Sequence, residues 1–233
     1  MAKIELTSEL AKQYGIEAGA TLVGICASSS FEKAPAGFKP NDILENCRSV
    51  IVLCIPFTRK TLSMEPPEYT ALRNAILTKM TEVAKIVAKQ ITKKNGYKAK
   101  AISASGGKTV DGKMWGHISL KHAAALAGLG VITRNYLLTN PQYGNRLWFS
   151  AVLTDAELVP DETQQSSLCE NCNHCVDICP VDALSDQESF GSKECSKFFQ
   201  IENKKFVIKC WKCRTVCPYS LGEAIEGGFA LEN

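Results

Sequence analysis

The sequence predicts an α/β (α+β) layered domain followed by a small cysteine-rich domain, and three observations lead to this fold class. Helical and strand patterns alternate over residues 1–155, as they do where helices pack against a sheet. Eight of the eleven cysteines lie within residues 169–217, and the polar stretch 156–168 before them shows no apolar pattern. We therefore expect a linker at 156–168, domains at 1–160 and 161–222, and a C-terminal tail at 223–233.

Four short segments predict the strands of the first domain. They cover residues 20–26, 49–55, 97–102 and 147–153. The first two are apolar runs, which are typical of buried strands. A loop rich in Gly, Ser and Lys is expected at 103–117.

A long helix is predicted from Pro66, because apolar residues recur there at the helical spacing. The stripe consists of Leu72, Ile76, Met80, Val83 and Val87. Asn95-Gly96 is a good left-handed cap for its end.

Three shorter helices are predicted from their end signals. Thr7 or Ser8 can cap a first helix that runs to about Tyr14. Asn41 can cap a brief helix that reaches Cys47, and an Ala-rich helix after Ser119 ends at Gly128.

Composition excludes several classes of protein. Hydrophobic residues make up 45% of the 233 residues and charged residues 22%, which suffices for a packed core and is unlike a disordered chain. No run reaches 18 apolar residues, and the first residues contain no apolar segment typical of a secretory signal. We expect a cytoplasmic protein without a membrane partner.

Charge is distributed unevenly along the chain. Residues 1–150 contain 20 Lys and Arg against 10 Asp and Glu, whereas residues 151–233 contain 7 against 14. This asymmetry indicates two modules with different surfaces. A basic module can attract nucleic acid or phosphorylated ligands, and the alternative is a solvated lysine face.

The cysteine spacing carries the strongest chemical signal. Cys169-x2-Cys172-x2-Cys175-x3-Cys179-Pro180 is the run that binds 4Fe–4S clusters in bacterial ferredoxins, whose fourth cysteine ligates the other cluster. A shorter run near the C-terminus repeats the pattern after a solitary cysteine. The crossed arrangement therefore predicts two ligand sets: Cys169, Cys172, Cys175 and Cys217 for one cluster, and Cys179, Cys195, Cys210 and Cys213 for the other.

Structural zinc is the alternative for these cysteines, since zinc also binds Cys-x2-Cys pairs. Zinc takes four ligands, however, and does not account for the Cys-Pro endings or for the third cysteine at the same spacing. Lys209, Lys212 and Arg214 stand beside the ligands. We consider two interpretations for them, stabilisation of the reduced clusters and ordinary solvated cations.

A turn after the Ala-rich helix is the candidate cofactor-binding loop. Glycines allow a backbone to approach a ligand closely, and an Arg offers a fixed fork of donors. The alternative is a plain helix end with a tight turn. The candidate residues are Gly128, Leu129, Gly130, Arg134 and Asn135.

Three segments together resemble a known family. Residues 121–135, Asn140-Pro-Gln-Tyr-Gly144 and Val152-Leu-Thr-Asp155 look like the cobalamin-binding core of the epoxyqueuosine reductases, and the cysteine runs match that family's two-cluster segment in order. The reductive dehalogenases are more distantly similar. The resemblance implies a base-off cobalamin in the α/β domain, next to the 128–135 loop, with one of the two 4Fe–4S clusters close enough to reduce its cobalt.

The sequence also departs from the family pattern. The family's catalytic Asp precedes the segment that matches Lys121, but residues 113–116 contain no acid and Asp111 is the nearest carboxylate. The catalytic residue is therefore unknown. The family's C-terminal repeat segment, which helps to grip tRNA, has no counterpart after Cys217, so we expect tRNA to be an unlikely partner.

The leading hypothesis is an oxidoreductase whose clusters pass single electrons to a cobamide in the first domain. It needs a redox partner, an electron donor such as a ferredoxin or a flavodoxin. A second hypothesis is a non-catalytic electron carrier, or a reductive activator, that docks on a corrinoid partner protein. A third is epoxyqueuosine reduction on tRNA.

Overall fold

The computed structural model describes residues 4–110, 113–165, 167–185, 192–223 and 228–229. It divides into two compact units, each assembled from separated stretches of the chain. The first unit contains the chain up to Ile55, Leu77–Gly130 and Trp148–Gln164, and the second contains Pro56–Ile76, Val131–Leu147 and the chain from Gln165 onward. Two stretches that lie within the predicted first domain thus belong to the second unit.

The elements are numbered in chain order. The helices are α1 (Ser8–Glu17), α2 (Pro66–Gln90), α3 (Leu120–Leu126), α4 (His174–Asp177), α5 (Ser192–Cys195) and α6 (Lys212–Thr215). The strands are β1 (Leu22–Ala27), β2 (Ser49–Pro56), β3 (Ala99–Ile102), β4 (Lys108–Val110), β5 (Lys113–Trp115), β6 (Val131–Ile132), β7 (Leu138–Thr139), β8 (Leu147–Thr154), β9 (Phe199–Glu202) and β10 (Lys205–Ile208).

A four-stranded sheet in the order β1-β2-β8-β3 is the centre of the first unit. The β1–β2 and β3–β8 pairs are antiparallel. All eight residues of β2 are buried, which explains its uninterrupted run of apolar residues. This confirms the predicted mixed α/β class.

Helices α1 and α3 pack on opposite faces of β1. A Cβ atom added at Gly15 of α1 would lie 2.5 Å from Val23, and one added at Gly24 would lie 2.4 Å from the Ala127 carbonyl just after α3. Successive residues of a strand point to opposite faces. Glycine is therefore needed at both contacts because the backbones approach so closely.

The main sequence-predicted helices and strands are confirmed, with small shifts at their ends. The apolar stripe of α2 is fully buried, and the helix passes through one π-helical turn at 91–95 before Gly96, whose φ is 79°. The Thr7 side chain caps α1 by accepting a hydrogen bond from the Leu10 backbone nitrogen at 3.2 Å. Ser119 precedes α3, but its hydroxyl contacts His122 Nδ1 at 2.6 Å.

Two local predictions differ from the structure. The brief helix expected from Asn41 to Cys47 is only a 3-10 turn at Pro40–Asp42. The loop expected at 103–117 contains the β4–β5 hairpin. The ring of Trp115 lies 5.5 Å from that of Phe38, and this tertiary contact holds a segment whose local sequence favours a loop.

The expected linker at 156–168 is in part a covering segment of the sheet. Ala156 and Leu158 are buried. The Asp161 backbone nitrogen donates to the Ile25 carbonyl at 2.8 Å, and the Asp161 carboxylate accepts from the Ile25 nitrogen at 2.8 Å. Since β1 is an edge strand, these bonds pair backbone groups that the sheet leaves open. Lys12 lies 2.5 Å from the same carboxylate.

The same segment closes over Gly128, which has a φ of +68°. A Cβ at this position would lie 2.3 Å from the Glu162 carbonyl oxygen, and the Gln164 side chain donates to the Gly128 carbonyl at 2.8 Å. Gly128 thus ends α3 against the chain's own backbone. No helix among the described residues is long and apolar enough to cross a membrane.

We expect Gly128→Ala to lower the free energy of unfolding by about 3 kcal/mol, because it adds a backbone clash to the cost of a positive φ. Gly37→Ala is the matched control, since Gly37 also has a positive φ (+84°) but no atom within 4 Å of its added Cβ. The control should lose only about 1 kcal/mol. Chemical unfolding followed by tryptophan fluorescence measures both, and equal losses would contradict the packing argument.

Candidate metal centre

Tight turns hold the first cysteine run in the second unit. The Cys172 nitrogen donates to the Cys169 carbonyl at 3.4 Å, and the Cys179 nitrogen donates to the Val176 carbonyl at 3.1 Å. Between them lies the single-turn helix α4. Turns spaced by two or three residues allow successive thiols to converge on one side of the loop.

Four thiols form a first group. Burial raises the pKa of Cys175, and the neighbouring thiols Cys169, Cys217 and Cys172 raise it further. Burial also raises the pKa of Cys217, and its thiol neighbours are Cys169 and Cys172. The C-terminal cysteine therefore returns to the first run, as the crossed arrangement requires.

A second group forms around Cys213. Burial raises the pKa of Cys213 to about 11, and the positive charge of nearby Arg214 opposes this rise. The thiols of Cys195 and Cys210 raise the pKa further, and Cys175 has the smallest effect. Cys179, the fourth residue predicted here, accepts a hydrogen bond from the Ala183 nitrogen at 3.3 Å.

The two groups are not arranged around one ion. Among the described residues, no three His, Cys, Asp or Glu side chains are close enough to hold a single metal ion. A 4Fe–4S cluster differs from such a site because its thiolates bind four separate irons. The donor chemistry, thiols in two groups, fits iron–sulfur clusters.

Hydrogen bonds reach the sulfurs of both runs. The Arg134 backbone nitrogen lies 3.5 Å from Cys169 Sγ. Hydrogen bonds from the Tyr219 backbone and the Asn145 side chain favour the ionised form of Cys217 and so oppose the rise in its pKa that burial causes. Such bonds stabilise negative charge on sulfur and are one determinant of a cluster's reduction potential.

The three cations beside the ligands differ in environment. Arg214 is 5% exposed, and its guanidinium donates to the Asn145 carbonyl. Lys212 is exposed. Lys209 lies 2.5 Å from a carboxylate oxygen of Glu202. Only Arg214 combines burial with proximity to a thiol. Arg214 therefore fits the stabilisation of a reduced cluster, whereas exposed Lys212 fits an ordinary solvated cation.

Arg146 is a structural residue of this unit that sequence reasoning missed. Its side chain is completely buried and donates to the Phe57 carbonyl at 2.8 Å and the Leu221 carbonyl at 3.0 Å. Burial lowers the pKa of Arg146. These bonds fix the segment that follows Cys217, and a single Arg before a strand gives no signal of such a role.

Helix α2 contacts the chain next to Cys210. Trp211 stacks on Tyr69 with ring centroids 4.1 Å apart. The Ile208 nitrogen donates to the Thr70 hydroxyl at 2.9 Å. The N-terminal part of α2 thereby positions the chain on both sides of this ligand.

The candidate cofactor loop is divided between the two units. Gly128, Leu129 and Gly130 belong to the first unit, whereas Arg134 and Asn135 belong to the second. There the Arg134 side chain donates to Asn173, and the Asn135 amide donates to the Cys213 carbonyl at 3.1 Å. The structure thus brings Arg134 and Asn135 to the cysteine loops, a contact that the sequence did not indicate.

The remaining cysteines are buried in the first unit. Burial raises the pKa of Cys26 to about 12 and raises that of Cys54 well above its ordinary value. Both thiols lie in strands, as the sequence predicts, and behave as small apolar side chains. Asp111, the carboxylate nearest to the family's acid position, lies outside the described residues.

Comparison with known proteins identifies the cysteine-rich segment. A family model of a 4Fe-4S binding domain matches residues 165–185, which include the whole first cysteine run. This match favours iron–sulfur over zinc. Residues 165–185 are a 4Fe–4S binding domain.

Curated relatives extend the match beyond this segment. Epoxyqueuosine reductase from Listeria monocytogenes is 33% identical over 118 residues, which cover 46% of this chain and 31% of the relative. Epoxyqueuosine reductase from Synechococcus is 34% identical over 103 residues, which cover 40% of this chain and 32% of the relative. The chain is a relative of the epoxyqueuosine reductases. The matched regions span about a third of the length of these relatives.

Solved structures share the fold over nearly the whole chain. Epoxyqueuosine reductase from Streptococcus thermophilus superposes with a TM-score of 0.66 at 20% identity, over 92% of this chain and 66% of that one. A catabolic reductive dehalogenase superposes with a TM-score of 0.71 at 21% identity, over 92% of this chain and 32% of that one. The resemblance stated from the sequence is confirmed.

Proposed function

We propose that this relative of the epoxyqueuosine reductases is an iron–sulfur oxidoreductase that passes single electrons through two 4Fe–4S clusters to a cobamide. One observation carries the proposal, the position of Cys217 beside Cys169 and Cys172. Crossed ligation of this kind is the arrangement of two-cluster ferredoxins. Clusters so linked can relay electrons.

The proposed ligands are the eight cysteines of the two runs. The first cluster is held by Cys169, Cys172, Cys175 and Cys217, and the second by Cys179, Cys195, Cys210 and Cys213. For the first set, Cys175 and Cys217 between them have all the other members as neighbours. For the second, Cys213 has Cys195 and Cys210 as neighbours, and Cys179 is included on its spacing.

The chain's own residues adjust these clusters. Backbone nitrogens of Arg134 and Ala183 donate toward Cys169 and Cys179, which disperses negative charge on those sulfurs. The buried guanidinium of Arg214 adds a positive charge next to Cys213. A reduced cluster carries one more negative charge than an oxidised one, so this charge favours reduction.

The cobamide is supported by the structural neighbours. One reductive dehalogenase structure that resembles this chain (TM-score 0.70, 20% identity) is described with B12-dependent dehalogenation. A cobamide would supply a redox-active cobalt that accepts single electrons. Glu162 fills the approach at Gly128, and the assignment of the 128–135 loop to a cofactor stays a prediction.

Epoxyqueuosine in tRNA is the substrate that the comparisons favour. The curated relatives are named for its reduction, and one similar solved structure (TM-score 0.62, 19% identity) contains an epoxyqueuosine-modified tRNA stem loop. This weighs against the expectation that tRNA is an unlikely partner. The alternative is a protein that has the clusters but does not act on tRNA. It would be an electron carrier, or a reductive activator of a corrinoid protein.

Anaerobically purified protein mixed with cob(II)alamin tests the function. A base-off visible spectrum, followed by conversion of epoxyqueuosine-modified tRNA when reductant is added, is the expected result. A base-off spectrum without conversion of the tRNA would support the electron relay to a cobamide and exclude the tRNA substrate. The absence of any spectral change would remove the cobamide and favour the carrier.

Iron content tests the number of clusters. We expect about eight irons per chain, because two sets of four thiolates are proposed. Cys195→Ser should lose about half of the iron, since it removes a ligand of one cluster only. Cys54→Ala is the matched control, as Cys54 is a buried cysteine outside both groups. Undiminished iron and unaltered electron paramagnetic resonance in Cys195→Ser would contradict the ligand assignment.

Arg214→Gln should lower the reduction potential of the second cluster, because it removes a buried positive charge beside Cys213. An interaction of about 1 kcal/mol corresponds to about 40 mV for one electron. Lys212→Gln, an exposed neighbour, should change the potential much less. Potentiometric titration followed by electron paramagnetic resonance measures both variants, and equal shifts would refute a special role for Arg214.

A further inference from the structure

The β9–β10 hairpin connects two proposed ligands of the second cluster. It begins four residues after Cys195 and ends two residues before Cys210. Strands rise about 3.3 Å per residue, so the base of the hairpin lies near both ligands and its turn projects about 10 Å beyond them. A protein that contacts this hairpin therefore approaches the second cluster.

One side of the hairpin exposes large apolar side chains, which we name the hairpin face: Phe199 (47% exposed), Ile201 (70%) and Phe206 (38%). Phe199 and Ile201 are two residues apart on β9, and Ile201 stands opposite Phe206 in the register. All three thus point to the same side. An exposed apolar cluster of this kind is typical of an interaction site.

The hairpin is held firmly at its base. The Lys209 nitrogen donates to the Phe198 carbonyl at 2.8 Å, and the Ile208 nitrogen donates to the Thr70 hydroxyl at 2.9 Å. The guanidinium of Arg73 lies 6.0 Å from the centre of the Phe206 ring. The hairpin face is therefore preorganised, which reduces the entropy lost on binding.

Exposed lysines flank the hairpin face along the chain. Residues 192–214 contain six Lys and one Arg but only two Glu, and one of these, Glu202, is paired with Lys209. Five lysines of the segment are exposed, and within the described part of the chain none of them lies within 4 Å of a carboxylate. These lysines, the lysine rim, are Lys193, Lys197, Lys204, Lys205 and Lys212.

We propose that the hairpin face and its lysine rim bind a small acidic protein that donates single electrons to the clusters. This inference rests on the proposed function, since it names the electron source for the same relay. In each encounter the donor loses one electron and the second cluster gains it, with no bond made or broken. An apolar centre with a charged rim suits a small, transient interface of this kind.

The charge of the rim identifies the partner as acidic. Opposite charges on two proteins accelerate their encounter by 10- to 1,000-fold at low salt. A nucleic acid fits less well, because single-stranded bases stack on open, flat aromatic faces. Here the Phe199 and Phe206 rings meet edge to face, and the most exposed side chain is the aliphatic Ile201.

The test uses the iron-loaded full chain and an acidic bacterial ferredoxin as the donor probe. Stopped-flow spectroscopy follows cluster reduction at 10 mM and 200 mM salt, and titanium(III) citrate serves as a small-molecule reductant. Lys204→Glu/Lys205→Glu changes the rim at the turn, far along the strands from the ligands. Ile201→Gln changes the centre of the hairpin face.

The double rim variant should slow reduction by the ferredoxin at least tenfold at low salt and abolish most of its salt dependence. Ile201→Gln should raise the half-saturating ferredoxin concentration by about fivefold. Reduction by titanium(III) citrate should stay unchanged in both variants. Lys33→Glu/Lys89→Glu, which makes the same charge change on exposed lysines of the first unit, should react like the wild type.

Four outcomes would overturn the proposal. They are unchanged ferredoxin kinetics in both hairpin variants, equal slowing with both reductants, loss of tRNA affinity in place of donor affinity, and dissociation of an oligomer by Ile201→Gln in sedimentation. Failure of the proposed function has a different signature. Cob(II)alamin binding would be absent while the ferredoxin still reduced the clusters through the hairpin face.

Discussion

The second unit depends on one constraint, the return of Cys217 to the thiols of Cys169 and Cys172. Cys217 follows Cys172 by 45 residues and Cys169 by 48, and the intervening chain must fold back to close the group. Arg146 holds the segment after Cys217 through the Leu221 carbonyl, and it holds Phe57 through a second bond. A buried cation that donates to backbone carbonyls loses its hydration, so the neighbouring segments must supply those acceptors. The fold around the cysteine loops therefore depends on these acceptors for Arg146 as well as on the positions of the cysteines.

The first unit obeys a different constraint, the open edge of its sheet at β1. Unpaired backbone groups on such an edge are costly if buried and promote association if exposed. Residues 156–164 cover the edge by combining a backbone bond and a carboxylate bond at Ile25. The same residues press on Gly128. One segment thus stabilises the sheet and also determines which residue types the turn after α3 accepts.

Features that depend on local periodicity or spacing were predictable from the sequence. The β2 strand, the α2 stripe and the cysteine spacing each encode their structure within a few residues. Features that depend on distant partners were not predictable. The β4–β5 hairpin relies on the contact between Trp115 and Phe38, and the covering segment relies on the pairing of Asp161 with Ile25. The burial of Arg214 depends likewise on Asn145, almost 70 residues earlier, and spacing alone could not distinguish it from exposed Lys212.

The interleaved path of the chain has a consequence for its synthesis. Phe57 belongs to the second unit, but the bond from Arg146 that ties it to Leu221 cannot be completed until the chain has grown by roughly 160 residues. At 5–20 residues per second, a ribosome needs about 10 to 30 s for this length. The thiols of the first cysteine run are likewise synthesised before Cys217. The first thiol group is therefore complete only once Cys217 has been added to the chain.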